Sequence, residues 1–293
     1  MREQVREQVR EQAAEERPFA FDDRDFRRVC RMIHARAGIH LGAHKRDMVY
    51  SRLARRLRAR GFENFSDYLD MVEDADAGEG QHFINALTTN LTSFFREAHH
   101  FPLLAAQLQA APRGSQPLRI WCCAASTGEE PWSLAITACE AFGTLAPPVR
   151  ILATDIDTAV LQSAMRGVYP LERIESIDIE RKRRFFQRGS GANAGQCRVR
   201  PELRALVEFR PLNLLDANYG LKPGSFLAVF CRNVMIYFDK PTQYGVLQRI
   251  APLLSPEDGR MYAGHSESFN HAADLVAPCG RTVYRAVARA GVA

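Results

Sequence analysis

The sequence LRIWCCAASTGEEPWSLA, residues 118–135, places an apolar run, a turn of small residues and a helix one after another. Ile120 and Trp121 are typical of a buried strand. Residues 124–128 have no bulky side chain, so a ligand can approach the backbone closely. Pro131 suits a first helical turn, where a missing N–H costs nothing. This order is typical of a nucleotide-type site in an α/β sheet, although an ordinary strand-to-helix turn shows the same pattern.

Acidic residues in that turn argue against a phosphate ligand. Glu129 and Glu130 occupy the helix N-terminus that a pyrophosphate would need, and Gly128 alone represents the G-x-G-x-x-G pattern. The next apolar run ends at Asp155, and a carboxylate after the second strand usually accepts hydrogen bonds from ribose hydroxyls. A ligand that carries both a ribose and a positive charge satisfies these observations, which indicates S-adenosylmethionine.

Length and composition restrict the class of protein. The chain has 293 residues, of which 46% are hydrophobic and 25% charged, so it can bury the cores of two domains. Because no apolar run approaches the ~20 residues of a membrane span and the N-terminus lacks a secretory signal, we expect a cytoplasmic protein without membrane insertion. The seven cysteines include no C-x-x-C pair, which favours free thiols and no metal site. As strand neighbours, Cys122 and Cys123 should point to opposite faces.

Four segments follow from composition and periodicity. Residues 1–17 begin with the repeat REQVREQVREQ and are expected to form a flexible tail. Residues 18–109 have helical periodicity and predict a helical N-terminal domain. Residues 110–117, AAPRGSQP, are a linker. Residues 118–293 alternate strands and helices, which predicts an α/β domain.

A small antiparallel β insertion is expected within the α/β domain at about residues 189–211. Gly189, Gly191 and Gly195 punctuate its start, and the runs 196–200 and 206–210 are typical of short strands.

A further apolar run, residues 226–231, ends directly before Arg232 and Asn233, and Tyr237 follows. Ligands bind outside the carboxyl ends of such strands, so these three residues are candidates for the site.

Positive charge is concentrated in the N-terminal domain. Residues 24–60 contain twelve Lys and Arg against two acids, whereas residues 63–79 contain seven acids and no base. On the second predicted helix Val49, Leu53 and Leu57 form an apolar stripe, and a basic face lies beside it. That face consists of Lys45, Arg52, Arg55 and Arg56. It is either an ordinary solvated face or a docking surface for an acidic helix.

The segment TTNLTSFFRE, residues 88–97, is dense in small polar side chains and contains Arg96. These groups either cap helices or line a ligand pocket with Arg96 as its cation.

Five motifs in this order resemble the CheR family of chemotaxis receptor glutamate O-methyltransferases. They are TTNLTSFFRE (88–97), AASTGEEPWS (124–133), ATDID (153–157), NLL (213–215) and FCRNVMIYF (230–238). The resemblance implies an α/β fold: a Rossmann-like S-adenosylmethionine-dependent methyltransferase sheet with a small antiparallel β insertion, preceded by an all-helical N-terminal domain. It covers nearly the whole chain from about Phe19.

The resemblance also implies roles for particular residues. Asn90, Thr92 and Arg96 would reach the cofactor from the N-terminal side. Glu130 and Asp155 would hold its adenosine portion, Asn213 and Leu214 would border the adenine, and Arg232 and Asn233 would close the site. Tyr237 would lie beside the transferred methyl group. Some family members also bind a C-terminal receptor tail peptide on the β insertion, where Gly189, Gly191 and Gly195 match the family's glycines.

The implied reaction transfers a methyl group to a receptor glutamate and leaves S-adenosylhomocysteine. A glutamate with a pKa near ~4.3 is ionised at neutral pH, so no general base is required. The implied partners are the acidic cytoplasmic helices of methyl-accepting chemotaxis receptors. A nucleic-acid methyltransferase is the nearest rival, but Asn233 is followed by Val-Met-Ile and not by a base-flipping Pro-Pro-Tyr pocket. A non-catalytic receptor scaffold and a dinucleotide dehydrogenase are further rivals.

Overall fold

The computed structural model describes residues 18–74, 77–112 and 114–287. The expected tail, residues 1–17, lies outside the described residues. Contacts between Cα atoms divide the described chain into two units, which we call the helical unit (18–36 and 40–87) and the α/β unit (37–39 and 88–287). Among the helices of these ranges, none is both long and apolar enough to cross a membrane.

The helical unit is built from amphipathic helices around an aliphatic and aromatic core. Its described α-helices are α1 (Asp23–Ala37), α2 (Arg46–Arg60), α3 (Phe65–Glu73) and α4 (Ala77–Leu87). The apolar stripe predicted on α2 is confirmed, because Val49, Leu53 and Leu57 are fully buried. Gly61 ends α2 at φ 73°, a left-handed conformation that favours glycine.

The structure differs from the expected basic face at Arg56. Its guanidinium donates to both carboxylate oxygens of Glu79, at 3.0 and 2.7 Å. Glu79 is only 2% exposed and also accepts a hydrogen bond from the Tyr68 hydroxyl at 2.9 Å. A buried carboxylate needs a counter-charge, so Arg56 stabilises the packing of the unit, and its part in docking stays a prediction.

The other three basic residues of the predicted face lie nearer to the surface. Lys45 and Arg55 are exposed, and the Nε of Arg55 donates to the Ser51 carbonyl of its own helix at 3.4 Å. Arg52 is half-buried and donates to the Ala86 carbonyl at 3.3 Å. Lys45 and Arg55 are therefore the members that can meet a partner most directly.

The α/β unit contains two sheets. Its described strands are β1 (Leu118–Cys122), β2 (Val149–Asp155), β3 (Val168–Pro170), β4 (Phe186–Arg188), β5 (Gln196–Val199), β6 (Val207–Pro211), β7 (Ala228–Cys231), β8 (Arg260–Ala263), β9 (Val276–Gly280) and β10 (Val283–Ala286). Seven of them form a sheet in the order β6-β2-β1-β7-β8-β10-β9. The strands from β6 to β8 in this order are parallel, whereas β10 is antiparallel to both β8 and β9. The carboxyl ends of the parallel strands therefore share one edge, where α/β proteins bind ligands.

Six α-helices belong to the described residues of the α/β unit. They are α5 (His100–Ala110), α6 (Glu129–Phe142), α7 (Thr158–Arg166), α8 (Ile179–Phe185), α9 (Pro201–Arg204) and α10 (Lys240–Ile250). The last residue of β1, Cys122, and the residue after it, Cys123, enter different hydrophobic clusters. This confirms the opposite-face prediction, and all seven cysteines are free. The expected α/β fold, with a mainly parallel sheet, a small antiparallel sheet and a helical N-terminal unit, is likewise confirmed.

The β insertion differs from the expected range of about 189–211. The small antiparallel sheet has the order β3-β5-β4, so it begins at Val168 and ends at Val199. The run at 206–210 is instead strand β6, which pairs in parallel with β2 from Ile151↔Val207 to Asp155↔Pro211. Sequence periodicity reports which residues alternate but does not report the partner strand, and here the partner is the main sheet.

The expected boundary at 110–117 also differs from the observed one. Contacts separate the two units between residues 87 and 88, so α5 belongs to the α/β unit. Phe101, Leu104 and Leu108 of α5 are buried in the same cluster as Ile120 of β1 and Trp132 of α6. The helical pattern is real, but its apolar face packs on the sheet that follows.

Candidate functional site

The turn after β1 is shaped by one glycine that no other residue can replace easily. Gly128 has φ 101°, and a Cβ atom there would lie 2.7 Å from the Tyr169 hydroxyl and 2.8 Å from the Ala164 Cβ. Ser126, two residues earlier, also has a positive φ of 48°. The turn is therefore held in a strained but well-packed conformation at the carboxyl edge of the sheet.

Asp155 ends β2 and lies against this turn. Its Oδ2 accepts a hydrogen bond from the Ser126 N–H at 2.8 Å, and its Oδ1 accepts one from the Asp157 N–H at 2.9 Å. The residue is only 7% exposed. Burial raises the pKa of the Asp155 carboxyl to about 6, although the two backbone N–H groups oppose the change. A carboxylate oxygen can accept more than one hydrogen bond, so acceptor positions are left for a ligand.

Asp157, which is not among the residues predicted from sequence, bonds one of them. Its Oδ1 accepts from the N–H groups of Ala159 and Val160 and caps helix α7. Its Oδ2 accepts from the Thr88 hydroxyl at 2.7 Å and from the Asn90 side-chain amide at 2.8 Å. An Asp at a helix start is a known capping signal, but its link to Asn90 is a tertiary contact.

The segment around Asn90 is tied to the β1 turn as well. The Ser126 hydroxyl donates to the Asn90 carbonyl at 3.1 Å. The Thr92 carbonyl accepts from Arg173 at 3.2 Å. Hydrogen bonds therefore fix Asn90 through its carbonyl and its side-chain amide, and fix Thr92 through its carbonyl.

The two adjacent acids of α6 have different environments. Glu129 is fully buried; it accepts from the Thr127 hydroxyl at 2.6 Å and from the Arg173 Nε at 3.0 Å. Glu130 accepts from the Arg232 guanidinium at 2.8 Å and from the Cys122 thiol at 3.2 Å. Burial raises the pKa of the Glu130 carboxyl, and the charge of Arg232 opposes the change. Glu129 thus stabilises the fold of the turn, whereas Glu130 belongs to the ionic cluster that surrounds Arg232.

Arg232 is a buried cation between two carboxylates. Its side chain is 0% exposed, and one nitrogen lies 3.6 Å from the Glu97 Oε2 while another bonds Glu130. It also donates to the Arg96 carbonyl, and the Arg96 guanidinium donates to the Leu91 carbonyl at 2.8 Å. Arg96 and Arg232, both predicted from sequence, are therefore in direct contact through the Arg96 backbone.

Glu97, the third member of the ionic cluster, was absent from the predicted set. Burial opposes its ionisation, but the hydrogen bond from His265 and the charge of Arg232 outweigh that effect and lower its pKa to about 2. It also accepts from the Asn233 side-chain amide at 3.2 Å. An ionised, 9% exposed carboxylate therefore lies beside two of the predicted site residues.

Asn233 begins a tight turn at φ 56°, and a second unpredicted carboxylate supports it. Glu267 accepts from the N–H groups of Asn233 at 3.1 Å and of Met235 at 2.9 Å. Burial raises the pKa of the Glu267 carboxyl, while the backbone donors oppose the change. A Cβ at Gly264 would lie 2.5 Å from the Asn233 amide nitrogen, so this position also requires glycine.

The remaining predicted residues flank these two clusters. The Leu212 N–H donates to the Asp155 carbonyl at 3.0 Å, which places Asn213 and Leu214 just beyond the end of β2. The side-chain oxygen of Asn213 accepts from the Leu215 N–H at 3.0 Å, and Leu214 is buried. Tyr237 is half-buried in the 3-10 turn that follows Asn233.

The three predicted glycines lie in the connection between β4 and β5. Gly191 and Gly195 have φ 57° and 84°, and a Cβ at Gly189 would lie 2.1 Å from the Asn193 carbonyl oxygen. This turn requires glycines for its own geometry, whatever it binds.

Comparison with known proteins identifies the family. Residues 24–88 match the model described as "CheR methyltransferase, all-alpha domain", and residues 90–285 match "CheR methyltransferase, SAM binding domain". The chain belongs to the CheR family of methyltransferases. Its two matched segments meet at the division between the helical unit and the α/β unit. The α/β unit of this CheR protein therefore binds S-adenosylmethionine.

Several curated relatives cover almost the whole CheR chain. "Chemotaxis protein methyltransferase 2" of Pseudomonas aeruginosa is 54% identical over 266 residues, covering 91% of this chain and 94% of the relative. "Chemotaxis protein methyltransferase" of Salmonella typhimurium is 52% identical, covering 90% and 91%. The Escherichia coli protein of the same name is 51% identical, again covering 90% and 91%.

The residues present fit S-adenosylmethionine. Asp155 offers acceptor positions of the kind that ribose hydroxyls use, and the small residues 124–128 allow close approach to the backbone. Around Arg232 the carboxylates of Glu97 and Glu130 outnumber the single buried cation, which favours a positively charged ligand.

Proposed function

We propose that this CheR protein methylates glutamate side chains of chemotaxis receptors, producing glutamyl methyl esters for sensory adaptation in the cytoplasm. The names and near-complete coverage of the relatives support a chemotaxis protein as substrate. The observation that carries the choice of a carboxylate acceptor is that, among the described residues near Arg232 and Glu130, Cys122 and His100 are poorly suited to remove a proton from a substrate. Burial raises the pKa of the Cys122 thiol far above its ordinary value and lowers the pKa of His100 to about 3.

An ionised carboxylate can attack the methyl group without losing a proton, so the enzyme does not need to supply a general base. S-adenosylmethionine supplies an electrophilic methyl group on a positive sulfur and leaves as S-adenosylhomocysteine. Asp155 would accept hydrogen bonds from the ribose, with Asn213 and Leu214 beside the adenine. Glu130, Arg232 and Asn233 would bind the remainder of the cofactor together with Asn90, Thr92 and Arg96. Tyr237 would lie next to the methyl group.

Catalysis then depends mainly on orientation and on exclusion of water. Holding the carboxylate in line with the methyl group can contribute roughly 7–11 kcal/mol to lowering the barrier. The opposite charges of acceptor and sulfonium cancel as the bond forms, so a dry site favours the transfer. The buried ionic cluster of Glu97, Glu130 and Arg232 keeps its geometry without solvent, which suits both requirements.

The direct test uses a receptor cytoplasmic fragment and S-adenosylmethionine with an isotopically labelled methyl group. We expect label in the fragment, located by peptide mass spectrometry on glutamate. A fragment whose labelled glutamates are replaced by alanine should take up no label. Label on lysine, arginine or RNA, with none on glutamate, would contradict the proposal.

The exposed part of the basic face is proposed to attract the acidic receptor helix. We expect the double substitution Lys45→Glu and Arg55→Glu to lower kcat/KM for receptor methylation about fivefold at low salt, because exposed charges chiefly affect encounter. The affinity for S-adenosylhomocysteine should not change. Receptor methylation rates at two ionic strengths provide the measurement.

The matched control is the double substitution Arg150→Glu and Lys222→Glu, which reverses two exposed charges of the α/β unit and changes the net charge by the same amount. It should leave kcat/KM within twofold of the wild type. Equal losses in the control and in the Lys45 and Arg55 double variant would show that net charge, and not the α2 face, determines the effect.

The small sheet is the proposed site for a receptor tail peptide. Strand β4 lies at an edge of the order β3-β5-β4, where an extended peptide can add as a further strand. Gly189→Ala should distort the adjoining turn and raise the Kd of a synthetic receptor tail peptide about tenfold. Gly245→Ala, inside α10, is the control. A tail peptide that binds both variants like the wild type would exclude this edge.

Cofactor affinity should depend on pH through Asp155. Its pKa in the unliganded protein is about 6, and ribose hydrogen bonds would favour the ionised form. Binding should therefore release a proton near pH 6, and affinity should fall by up to about tenfold per pH unit below that value. Calorimetry with S-adenosylhomocysteine in two buffers of different ionisation enthalpy measures the release. Affinity that stays constant from pH 7 to pH 5 would refute the assignment.

A further inference from the structure

Glu97 has an unusual backbone conformation and a crowded carboxylate. Its φ of 53° lies in the left-handed region, which costs free energy for a residue other than glycine. One oxygen, Oε1, accepts from the Nδ1 of His265 at 2.9 Å, from the His265 N–H at 3.2 Å and from the Asn233 amide at 3.2 Å. The side chain is 9% exposed. Strain of this kind persists only where surrounding contacts maintain it, and here those contacts belong to the site.

His100 does not supply the counter-charge of Glu97, although its Nδ1 lies 4.0 Å from the Glu97 Oε2. The His100 Nε2 forms a hydrogen bond with the Thr282 hydroxyl at 2.8 Å. Burial, which lowers the pKa of His100 to about 3, keeps the ring neutral.

The charge of Glu97 is consequently balanced by Arg232, the same cation that bonds Glu130. One fully buried guanidinium thus lies 3.6 Å from one carboxylate and 2.8 Å from the other. The three groups carry a net charge of −1 when both acids are ionised. Without Glu97, Arg232 would pair with Glu130 alone. The cluster would then lose its excess negative charge.

We propose that Glu97 is a positioning residue for the methyl donor: it acts through Arg232 and Asn233 to hold Glu130 in place and to keep this part of the site negative. The inference rests on the proposed assignment of Glu130, Arg232 and Asn233 to the cofactor. Glu97 contacts Asn233 and Arg232, and the proposal assigns it no contact with the reacting atoms. Its removal should therefore weaken cofactor binding even in a protein that remains folded.

The test measures the Kd of S-adenosylhomocysteine by calorimetry for Glu97→Gln, Glu130→Gln and the double variant. Each single variant should raise the Kd about tenfold. The double variant should raise it by clearly less than the product of the single effects, because Glu97 acts through the Glu130–Arg232 pair and has less to position once the Glu130 carboxylate is gone. The control Glu73→Gln removes a carboxylate bonded to Arg28 in the helical unit and should stay within twofold of the wild type.

A purely structural role would lower the thermal midpoint of Glu97→Gln but leave its Kd, measured well below that midpoint, within twofold of the wild type. If the rise in Kd of the double variant equals the product of the two single rises, the two residues act independently and the inference is also overturned. If Glu130→Gln binds normally, the site assignment itself fails; if only Glu97→Gln binds normally, the inference fails alone. Should Glu97→Gln not fold, His265→Ala provides the second measurement. It removes one donor to Glu97 from a side chain that is 59% exposed, and we expect about a threefold rise in Kd.

Discussion

Asp155→Ala should raise the Kd of S-adenosylhomocysteine at least about 100-fold. Hydrogen bonds to a charged group contribute about 1.5–3 kcal/mol each, and loss of two of them to the ribose corresponds to 100-fold or more. The structure gives the carboxylate a fixed direction, because the N–H groups of Ser126 and Asp157 bond its two oxygens. Calorimetric titration of the folded variant measures the effect.

Glu208→Ala is the matched control for Asp155. It removes an exposed carboxylate from β6, the strand that pairs with β2, and it should leave the Kd within about threefold of the wild type. Unchanged affinity in Asp155→Ala would refute its ribose role, and circular dichroism would show whether the variant retains its fold.

Arg232→Met should lower the free energy of unfolding by about 3–5 kcal/mol, the range measured when one partner of a buried ion pair is removed. Methionine fills similar space but leaves the carboxylates of Glu97 and Glu130 without a buried counter-charge. It also loses the hydrogen bond to the Arg96 carbonyl. Urea unfolding measures the change, and methyl transfer should fall in parallel.

The control for this substitution is Arg188→Met, at an exposed position of β4. A surface change of this kind is usually within about 0.5 kcal/mol of the wild type. If Arg232→Met were as stable as the control, the ionic cluster would contribute nothing to the fold and our account of its geometry would be wrong.

Local sequence patterns were sufficient to predict the position of the turn after β1 and the position of Asp155 at the end of a strand. Each depends on a short run of residues: a strand, small residues and a helix start in one case, and an acid at the end of a strand in the other. The aliphatic stripe of α2 could also be predicted, because helical periodicity alone decides which residues share a face.

Roles that depend on distant residues could not be read in this way. Glu97 contacts His265 across 168 positions, and Asp157 contacts Asn90 across 67. An isolated acid in either motif is typical of ordinary capping or solvation. The sequence likewise does not show that Arg56, which it places on the basic face, bonds the buried Glu79.

Sequence patterns also could not predict which strand a given strand pairs with. Residues 206–210 alternate as an antiparallel strand would, yet Val207–Pro211 pairs in parallel with β2. Helix α5 was likewise assigned to the wrong unit, since periodicity identifies its apolar face but not the sheet on which that face packs.

The chemical stability of the transferred methyl group tests the central claim most directly. After a receptor fragment has been labelled by the enzyme, mild alkali should release the label as volatile methanol, because a carboxylate methyl ester is hydrolysed under these conditions. Label that stays on the receptor through the alkaline treatment would mean that the acceptor is a nitrogen or carbon atom and would contradict the claim.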